Sequence, residues 1–448
     1  MAQYRQPGVF VTFEDSPANS LLPTGLRLAC IVATGLTSRP VKNVAITRGG
    51  GGTDVIPGTL SAADVSSLVS AGDFPDLAQY ALGADFHQSG QSIAWSGGQA
   101  PVAGSVYYLT YRAPKVGADY NKGIIYSSLS DVRTDFGGEL INGVLTPITA
   151  AAKMAFDNGA AAVMLIQAVS ASQSDLQTAL DSAKLEDVDL VVAPQMCNTQ
   201  LNSYVRAHVL TQSAPTNRHE RVWFRSADGT SDSIYTLRAD AQGMGSERVT
   251  VMAPPAFVTT LHDSAVGQDE DILLPSGYMA AMYAGVVTDP TVDPATPMTR
   301  QALVGIKNLS TFNYQETDKN ILGAAGVTVV ESNQGVYRIR HAVTTDVSNV
   351  NTITQSVVFI KDNIRKELRT LLDSTFIGSN IDASLSSRMA AAIEAFLRQK
   401  VRDTIIKDWR NISVIQDTTD PRTMLVSFAL APVFPAEFID VTISLFTN

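Results

Sequence analysis

Residues 161–194 read AAVMLIQAVSASQSDLQTALDSAKLEDVDLVVAP, and this stretch decides the fold. The apolar runs Ala161–Val169 and Val188–Ala193 each predict a strand that is buried on both faces. The pattern between them is helical, with Ser174 as the expected N-cap and Gln177 as its capping-box partner. A buried strand, a helix and a second buried strand are the repeating unit of a parallel α/β sheet.

The same alternation extends over residues 119–309. We expect further strands at Gly123–Ser127, Arg221–Arg225 and Arg248–Met252, and helices at 148–158, 174–185, 198–210, 231–240 and 275–286. The sequence therefore predicts an α/β multidomain chain whose centre is an open, mostly parallel sheet covered by helices.

Residues 38–118 have a different composition. Gly49–Gly52, Pro57-Gly58 and Gly97-Gly98 interrupt short β-rich runs, with one short helix expected near 61–70. This pattern predicts an inserted β-sandwich or barrel domain.

The last part of the chain predicts another α/β unit. Its expected strands are Val327–Glu331, Tyr337–His341 and Thr423–Ala429, and its expected helices are 352–373 and 382–406. The first helix has an apolar stripe over Val357, Ile360, Ile364, Leu368 and Leu371, and the second has one over Met389, Ile393, Phe396 and Leu397.

Both helices also carry basic stripes. Lys361, Arg365 and Arg369 recur every four residues on the first helix, whereas Arg388, Arg398 and Arg402 share a face of the second with two alanines. Residues 355–410 hold 10 Lys and Arg against 7 Asp and Glu, although the whole chain has a net charge of −10. The stripes are either a binding surface for an acidic partner or ordinary solvated helix faces.

Both chain ends contain β-rich stretches. The N-terminal stretch consists of Val9, Phe10, Val11, Thr12 and Phe13. The C-terminal stretch runs from Phe438 to Phe446 and places Ile439, Val441, Ile443 and Leu445 on one face. Each strand can pair within its own domain or add to the sheet of a neighbouring molecule.

Composition narrows the class of protein. The chain has 448 residues, 45% of them hydrophobic and 17% charged, which excludes disorder and predicts two to four globular domains. The acidic net charge disfavours nucleic-acid binding, and two cysteines exclude a disulfide scaffold. The apolar runs near 160–169 and 278–287 are about half the ~20 residues of a membrane-spanning helix, and the first residues lack a signal-peptide pattern. We therefore expect a protein made in a reducing cytosol.

Motifs for catalysis and for cofactors are weak. Gly49–Gly52 is not followed by the Lys-Ser/Thr pair of a phosphate-binding loop, so no cofactor is expected. Gly229-Thr230-Ser231 is similar to the nucleophile segment of subtilisins, but no histidine stands in a matching context, and Ser231 is expected to cap the following helix. The acidic run Gln268–Asp271 is expected in a loop, and no spacing typical of a metal site occurs. Cys30 and Cys197 are expected to be buried free thiols.

An ordered set of segments resembles the tail sheath proteins of contractile bacteriophage tails and related injection machines. The segments are Pro7–Val11, the glycine-rich β insertion, Val188–Pro194, Leu274–Ala284, Asn320–Gly326, Tyr337–Arg340, Val357–Arg365 and Pro435–Ile443. They span nearly the whole chain.

The resemblance implies a structural polymer and not an enzyme. It implies a central subtilisin-like domain (119–309), an outer β domain (38–118), an inner C-terminal sheath domain (21–37 with 310–435), and exchanged arms (1–20 and 436–448). Sheath subunits of this family stack as hexameric rings around a tail tube and contract to drive the tube through a cell envelope. By this analogy Val9–Phe13 and Phe438–Phe446 are arm strands, and either basic stripe is a candidate contact with the tube.

The implied partners are further copies of the chain, the tube protein, and the baseplate and terminator proteins, without nucleic-acid contact or membrane insertion. The implied location is a virion tail, or a tailocin, assembled in the bacterial cytoplasm. Two alternatives are a serine hydrolase on a subtilisin-like scaffold and another arm-exchanging shell protein, such as a capsid or surface-layer protein.

Overall fold

The computed structural model describes residues 21–22, 27–56, 67–89, 92–96, 99–196, 199–225, 232–293, 295–309 and 314–437. The strands in these ranges are β1 (Leu21–Leu22), β2 (Ala29–Thr34), β3 (Ser38–Thr47), β4 (Thr53–Val55), β5 (Ser67–Gly72), β6 (Phe86–Ser89), β7 (Ser92–Trp95), β8 (Val106–Pro114), β9 (Gly123–Tyr126), β10 (Leu140–Ile141), β11 (Val144–Leu145), β12 (Val163–Ala168), β13 (Leu190–Val192), β14 (Val222–Arg225), β15 (Val249–Ala253), β16 (Ala256–Asp263), β17 (Gln268–Pro275), β18 (Val327–Asn333), β19 (Val336–Ile339), β20 (Ile405–Gln416) and β21 (Met424–Pro432). The α-helices are α1 (Leu129–Phe136), α2 (Pro147–Asp157), α3 (Gln173–Ser182), α4 (Thr199–Gln212), α5 (Ile234–Met244), α6 (Ser276–Thr288), α7 (Glu316–Ala324), α8 (Val350–Ile353), α9 (Gln355–Phe376) and α10 (Leu385–Arg402).

An eight-stranded sheet forms the centre of the molecule. Its strand order is β19-β18-β15-β14-β13-β2-β12-β9. The six inner strands run parallel, and the edge strands β9 and β19 are antiparallel to their neighbours. The predicted open, mostly parallel sheet is confirmed.

Helices cover both faces of this sheet because its strands are apolar on both sides. Ile31 of β2 points into a core shared with α2 and α6, whereas Cys30 and Val32 point into the core under α3, α4 and α5. Helix α6 is buried along its whole length. Its residue Gly285 packs so closely on α2 that an added Cβ would lie 2.2 Å from the carbonyl oxygen of Ala155.

The structure corrects two predicted helix starts. The N-cap of α3 is Ser172 and not Ser174, and its hydroxyl accepts a hydrogen bond from the amide of Asp175 at 3.3 Å. The N-cap of α5 is Ser233, two residues after Ser231, which lies outside the described residues. Each segment has several serines, and the backbone entering the helix selects the one that caps it.

The inserted segment contains two three-stranded sheets, ordered β3-β8-β5 and β4-β7-β6. They enclose a separate core that includes Phe86, Ile93 and Tyr107. The helix expected near 61–70 is wrong over 67–70, where β5 pairs with β8. The remainder of that prediction lies outside the described residues.

The C-terminal unit consists of α9 and α10 packed on the sheet β1-β20-β21. The domain limits drawn from the sequence differ from this arrangement. Strand β2, which was assigned with the C-terminal unit, lies in the middle of the central sheet, and β18 and β19 extend that sheet at its edge. A buried apolar strand joins the sheet that can cover both of its faces, whatever its position in the chain.

A smaller sheet, ordered β11-β10-β16-β17, projects beside the central one. The acidic run Gln268–Asp271 begins its edge strand β17 and does not form the expected loop. Asp263 ends β16, and its carboxylate accepts hydrogen bonds from the amides of Asn142 and Gly143 in the β10–β11 turn. These bonds fix the two hairpins to each other, and the pKa of Asp263 is lowered, chiefly by the hydrogen bond from the amide of Gly143.

Candidate assembly surfaces

The C-terminal unit ends in a two-stranded antiparallel ribbon formed by β20 and β21. Leu21 and Leu22 of β1 pair with Ile406 and Ile405 at its base. Strand β20 continues to Gln416 beyond this short contact, and β21 is the last strand in the sheet order. Within the described part of the chain, both long edges of the ribbon therefore lack a neighbouring strand. Such edges present unpaired main-chain donors and acceptors.

The two faces of the ribbon differ in burial. Trp409, Val414 and Val426 pack against the cluster built by α9 and α10. On the other face Ile415 and Leu425 form a cross-strand pair, 56% and 46% exposed respectively. Open edges beside an exposed apolar pair are typical of a surface that receives another strand.

The sequence did not predict this ribbon as a whole. The helix expected to reach residue 406 ends at Arg402, and Thr404 has a left-handed φ of 56°. This turn separates the helix from β20. The aromatic and β-branched residues Trp409, Ile412, Val414 and Ile415 are the signal that could have revealed the strand.

The stripe of Arg388, Arg398 and Arg402 lies on the exposed face of α10, together with the two alanines between them. Arg388 Nη2 lies 3.2 Å from Asp382 Oδ2, and Arg398 Nη2 lies 2.6 Å from Glu394 Oε1. All of these side chains are solvated, so the pairs are weak and can exchange partners.

The stripe of Lys361, Arg365 and Arg369 is not exposed to solvent as a binding surface would be. Lys361 and Arg365 are each 7% exposed, and Lys361 Nζ lies 2.6 Å from Glu247 Oε2. Arg369 binds both carboxylate oxygens of the fully buried Glu220, and Arg365 Nε lies 3.9 Å from the same group. The expectation that this stripe faces a tube is therefore corrected: it faces acidic residues of the central domain.

Further charge pairs, some buried and some partly exposed, extend this joint between α9 and the central domain. Arg248 donates to Asp362, and Lys366 Nζ lies 2.7 Å from both Asp187 and Asp189. Burial alone raises the pKa of Asp362, but the guanidinium of Arg248 outweighs it and holds that pKa below its usual value. Burial likewise lowers the pKa of Lys366, but Asp189 and Asp187 raise it above its usual value. Both groups are therefore ionised at neutral pH.

The predicted arm strands Val9–Phe13 and Phe438–Phe446 lie outside the described residues. Their attachment points are described. Strand β1 follows the first arm on the β20 edge, and Glu437 directly precedes the second. Glu437 Oε2 lies 3.0 Å from His341 Nε2, which ties the start of the C-terminal arm to the end of the central sheet.

The described residues bring together no catalytic or metal-binding group. Ser231 lies in the segment 226–231, which is not described, and His208 is buried beside Arg221. Burial lowers the pKa of His208 to about 3, with a contribution from Arg221, so this imidazole is a poor base at neutral pH. No group of three or more His, Cys, Asp or Glu side chains suited to a metal ion occurs in this part of the chain.

The remaining sequence predictions concern thiols and membranes. Cys30 is fully buried, and burial raises the pKa of its thiol to about 12. Cys197 lies outside the described residues. Within the described ranges no helix combines the length and the apolar character needed to span a bilayer.

The described part of the chain is thus an α/β body with an ion-paired C-terminal unit that ends in the β20–β21 ribbon. A family model described as the phage tail sheath C-terminal domain matches residues 349–446, which include α9, α10 and the ribbon. The chain is also 26% identical over 353 residues to the tail sheath protein of Mycobacterium phage Bxz1. That match covers 76% of this chain but only 59% of the relative, so the chain spans about three fifths of the relative's length.

Solved structures share the fold at low identity. The anti-feeding prophage matches in its contracted helical sheath, with a TM-score of 0.58, 15% identity and 99% of both chains covered. Its six-fold symmetrised baseplate matches with a TM-score of 0.59, 15% identity and coverage of 99% of this chain and 100% of the other. The contracted sheath complex of the PVC extracellular contractile injection system matches with a TM-score of 0.57, 15% identity and coverage of 99% and 98%.

The matches to the family model and to the phage relative relate this chain, and residues 349–446 in particular, to contractile tail sheath proteins.

Proposed function

We propose that this chain is the sheath subunit of a contractile tail. In this role it polymerises as stacked hexameric rings around a tail tube and contracts to drive the tube through the envelope of a target cell. Its partners are further copies of itself, the tube protein, the baseplate and the terminator, and it resides in the tail of the particle. The observation that carries the proposal is the β20–β21 ribbon, on whose two long edges the described residues place no strand beyond the short β1.

The ribbon supports linkage of neighbours through exchanged arms. One chain supplies two open edges and two terminal β-rich stretches, Val9–Phe13 and Phe438–Phe446. Adding a strand to each edge would complete a four-stranded sheet with main-chain hydrogen bonds, which demand little of side-chain sequence. Such a link survives a change of ring geometry, because the strands stay paired while the linkers turn.

Deleting either arm tests this proposal. We expect the chains lacking residues 1–15 or 436–448 to remain folded, because the described cores are built by buried and partly buried side chains of residues 28–430. They should sediment as monomers, whereas the full chain forms hollow helical tubes in electron micrographs. Flat sheets or closed shells from the full chain would instead indicate a surface-layer or capsid protein. A deletion that unfolds the chain would show that the arm belongs to the core of its own subunit.

The exposed face of α10 is the proposed contact with the tube. Arg388, Arg398 and Arg402 project from a flat surface, and exposed ion pairs of ~0.2–1 kcal/mol each can be released during contraction. Repetition over many subunits makes the sum of these weak contacts large.

Charge reversal at this face tests the contact. Arg398→Glu combined with Arg402→Glu should abolish assembly on purified tubes and still allow tube-free polymer. The matched control is Lys184→Glu, since Lys184 is exposed on the central domain and lies on neither α10 nor the ribbon. Unchanged binding of the double variant to tubes would identify this stripe as ordinary solvated surface.

A further inference from the structure

A loop of the inserted domain, residues 72–80, is held in one conformation. The side chain of Asn43 donates to Asp76 Oδ1 at 3.1 Å, and the amide of Asp76 donates back to Asn43 Oδ1 at 2.8 Å. The hydroxyl of Tyr80 donates to Asp73 Oδ1 at 2.7 Å. The loop is therefore braced at both ends by side chains.

This braced loop presents apolar side chains to solvent. Phe74 is 68% exposed, Leu77 is 46% exposed, and Val102 on the facing segment is 78% exposed. A fixed loop cannot turn these groups inward. Exposed apolar groups held in fixed positions mark a binding surface, because a partner does not have to bear the cost of ordering them.

A cleft of about 410 Å³ lies beside the loop, within the usual size range of small-molecule sites. Val102 and Val106 line one part of it, and Asp73, Gln79 and Gln99 line another. The cleft therefore offers an apolar wall opposite a set of planar polar side chains.

The polar side chains of the cleft are available to a ligand. Gln79 and Gln99 have no side-chain hydrogen-bond partner among the described residues, and Asp73 uses one carboxylate oxygen for Tyr80. Carboxamides and carboxylates offer adjacent acceptors, and carboxamides offer donors as well, which suits the vicinal hydroxyls of a sugar. None of the described residues that line the cleft is a lysine, arginine or histidine, so an anionic ligand would find no counter-charge.

We propose that this cleft binds a neutral oligosaccharide, with Val102 and Val106 against the apolar face of one sugar ring and Gln79, Gln99 and Asp73 bonded to its hydroxyls. Phe74, which follows Asp73 on the adjoining loop and does not line the cleft, would contact a neighbouring ring of the same oligosaccharide. This activity goes beyond the proposed role in the sheath and does not depend on it. The main competing occupant is a second copy of the chain, which the apolar groups alone would also fit.

The full-length protein is tested on an array of neutral and uronic-acid oligosaccharides, and the affinity of bound glycans is then measured by calorimetry. We expect neutral glycans to bind and acidic ones not to bind. Gln79→Ala combined with Gln99→Ala should weaken binding about tenfold, since two hydrogen bonds of ordinary strength are lost. Phe74→Ser should weaken it about fivefold or more.

The matched control is Leu185→Ser, which removes an 89% exposed apolar side chain from the central domain and should leave binding unchanged. The two glutamine substitutions disturb no contact among the described residues, so loss of folding is not expected. Absence of neutral-glycan binding, preference for uronic acids, or affinity unchanged in the double variant would each overturn the proposal. Loss of self-association in Phe74→Ser without any glycan binding would assign the surface to a second copy.

Discussion

The joint between α9 and the central domain yields the sharpest prediction, the substitution Glu220→Gln. The Glu220 side chain is fully buried, binds Arg369 through both oxygens, and lies 3.9 Å from Arg365. Glutamine keeps the shape of the side chain but removes its charge, so Arg369 loses its counter-ion and Arg365 keeps Asp362, at 3.7 Å, as its carboxylate partner. Breaking a buried pair from one side costs about 3–5 kcal/mol. We expect the lower end, about 3 kcal/mol, because Arg369 retains 12% exposure and gains hydration.

The three tryptophans make this effect measurable in each unit. Trp95 lies in the inserted domain, Trp223 in β14 of the central sheet, and Trp409 in the ribbon of the C-terminal unit. Variants that keep one tryptophan each report urea unfolding of that unit by fluorescence. With slopes of about 1–3 kcal/mol per molar urea, a loss of 3 kcal/mol lowers the midpoint by about 1–3 M. We expect the shift at Trp409 and Trp223 and not at Trp95.

The control is Glu394→Gln, which breaks the pair with Arg398 on the exposed face of α10. Its partners are 43% and 61% exposed, so we expect a loss below about 0.5 kcal/mol. If Glu220→Gln and Glu394→Gln lowered the midpoint equally, the buried charges would not hold the joint together, and the reasoning would be refuted.

Three further predictions concern single groups. Burial raises the pKa of Asp293 to about 6 from an ordinary value of 3.8, so ionising this carboxyl costs more in the folded protein than in the unfolded chain. The stability that the protonated carboxyl allows is fully present below pH 4 and is lost as the pH rises through 6. Asp293→Asn should therefore remove this pH dependence and raise the free energy of unfolding at pH 7 by about 1 kcal/mol, which is the effect of a pKa shift of about two units discounted for partial exposure. If the free energies of unfolding of the variant and the wild type changed in parallel from pH 4 to 7, this prediction would be contradicted. Gly285→Ala should lower the free energy of unfolding by about 1–2 kcal/mol, because the overlap with Ala155 outweighs the helix propensity of alanine; a higher melting temperature would be inconsistent with it. Cys30 should resist Ellman's reagent at pH 8 until the chain is unfolded, and peptide mapping that finds it modified in native protein would refute its burial.

The sequence predicted the central sheet because local patterns determine it. Runs such as Val163–Ala168 and Leu190–Val192 are apolar on both faces, and such strands require helices on both sides. Helix ends were less well predicted, as the N-caps Ser172 and Ser233 show. A cap depends on where the incoming chain turns, which tertiary contacts set.

Of the two candidate basic surfaces, the sequence predicted the exposure of one correctly and of the other wrongly. Each basic stripe has a spacing that places its members on one face of a helix, yet Arg398 is solvated and Arg365 is buried. The difference arises because acidic residues such as Glu220, 145 positions earlier, cover one stripe. Periodicity identifies a polar face of a helix but does not identify what packs on it.

The sequence by itself determined the α/β class, the two long C-terminal helices with their apolar stripes, and the resemblance to the sheath family. These features depend on patterns within one segment or on the order of segments along the chain. Only the tertiary structure placed β2 in the middle of the central sheet, buried the α9 stripe against Glu220, and formed the β20–β21 ribbon, whose long edges carry no described strand beyond β1. These features depend on contacts between segments that are distant in the sequence, and burial and charge pairing over the whole molecule determine which of those contacts form.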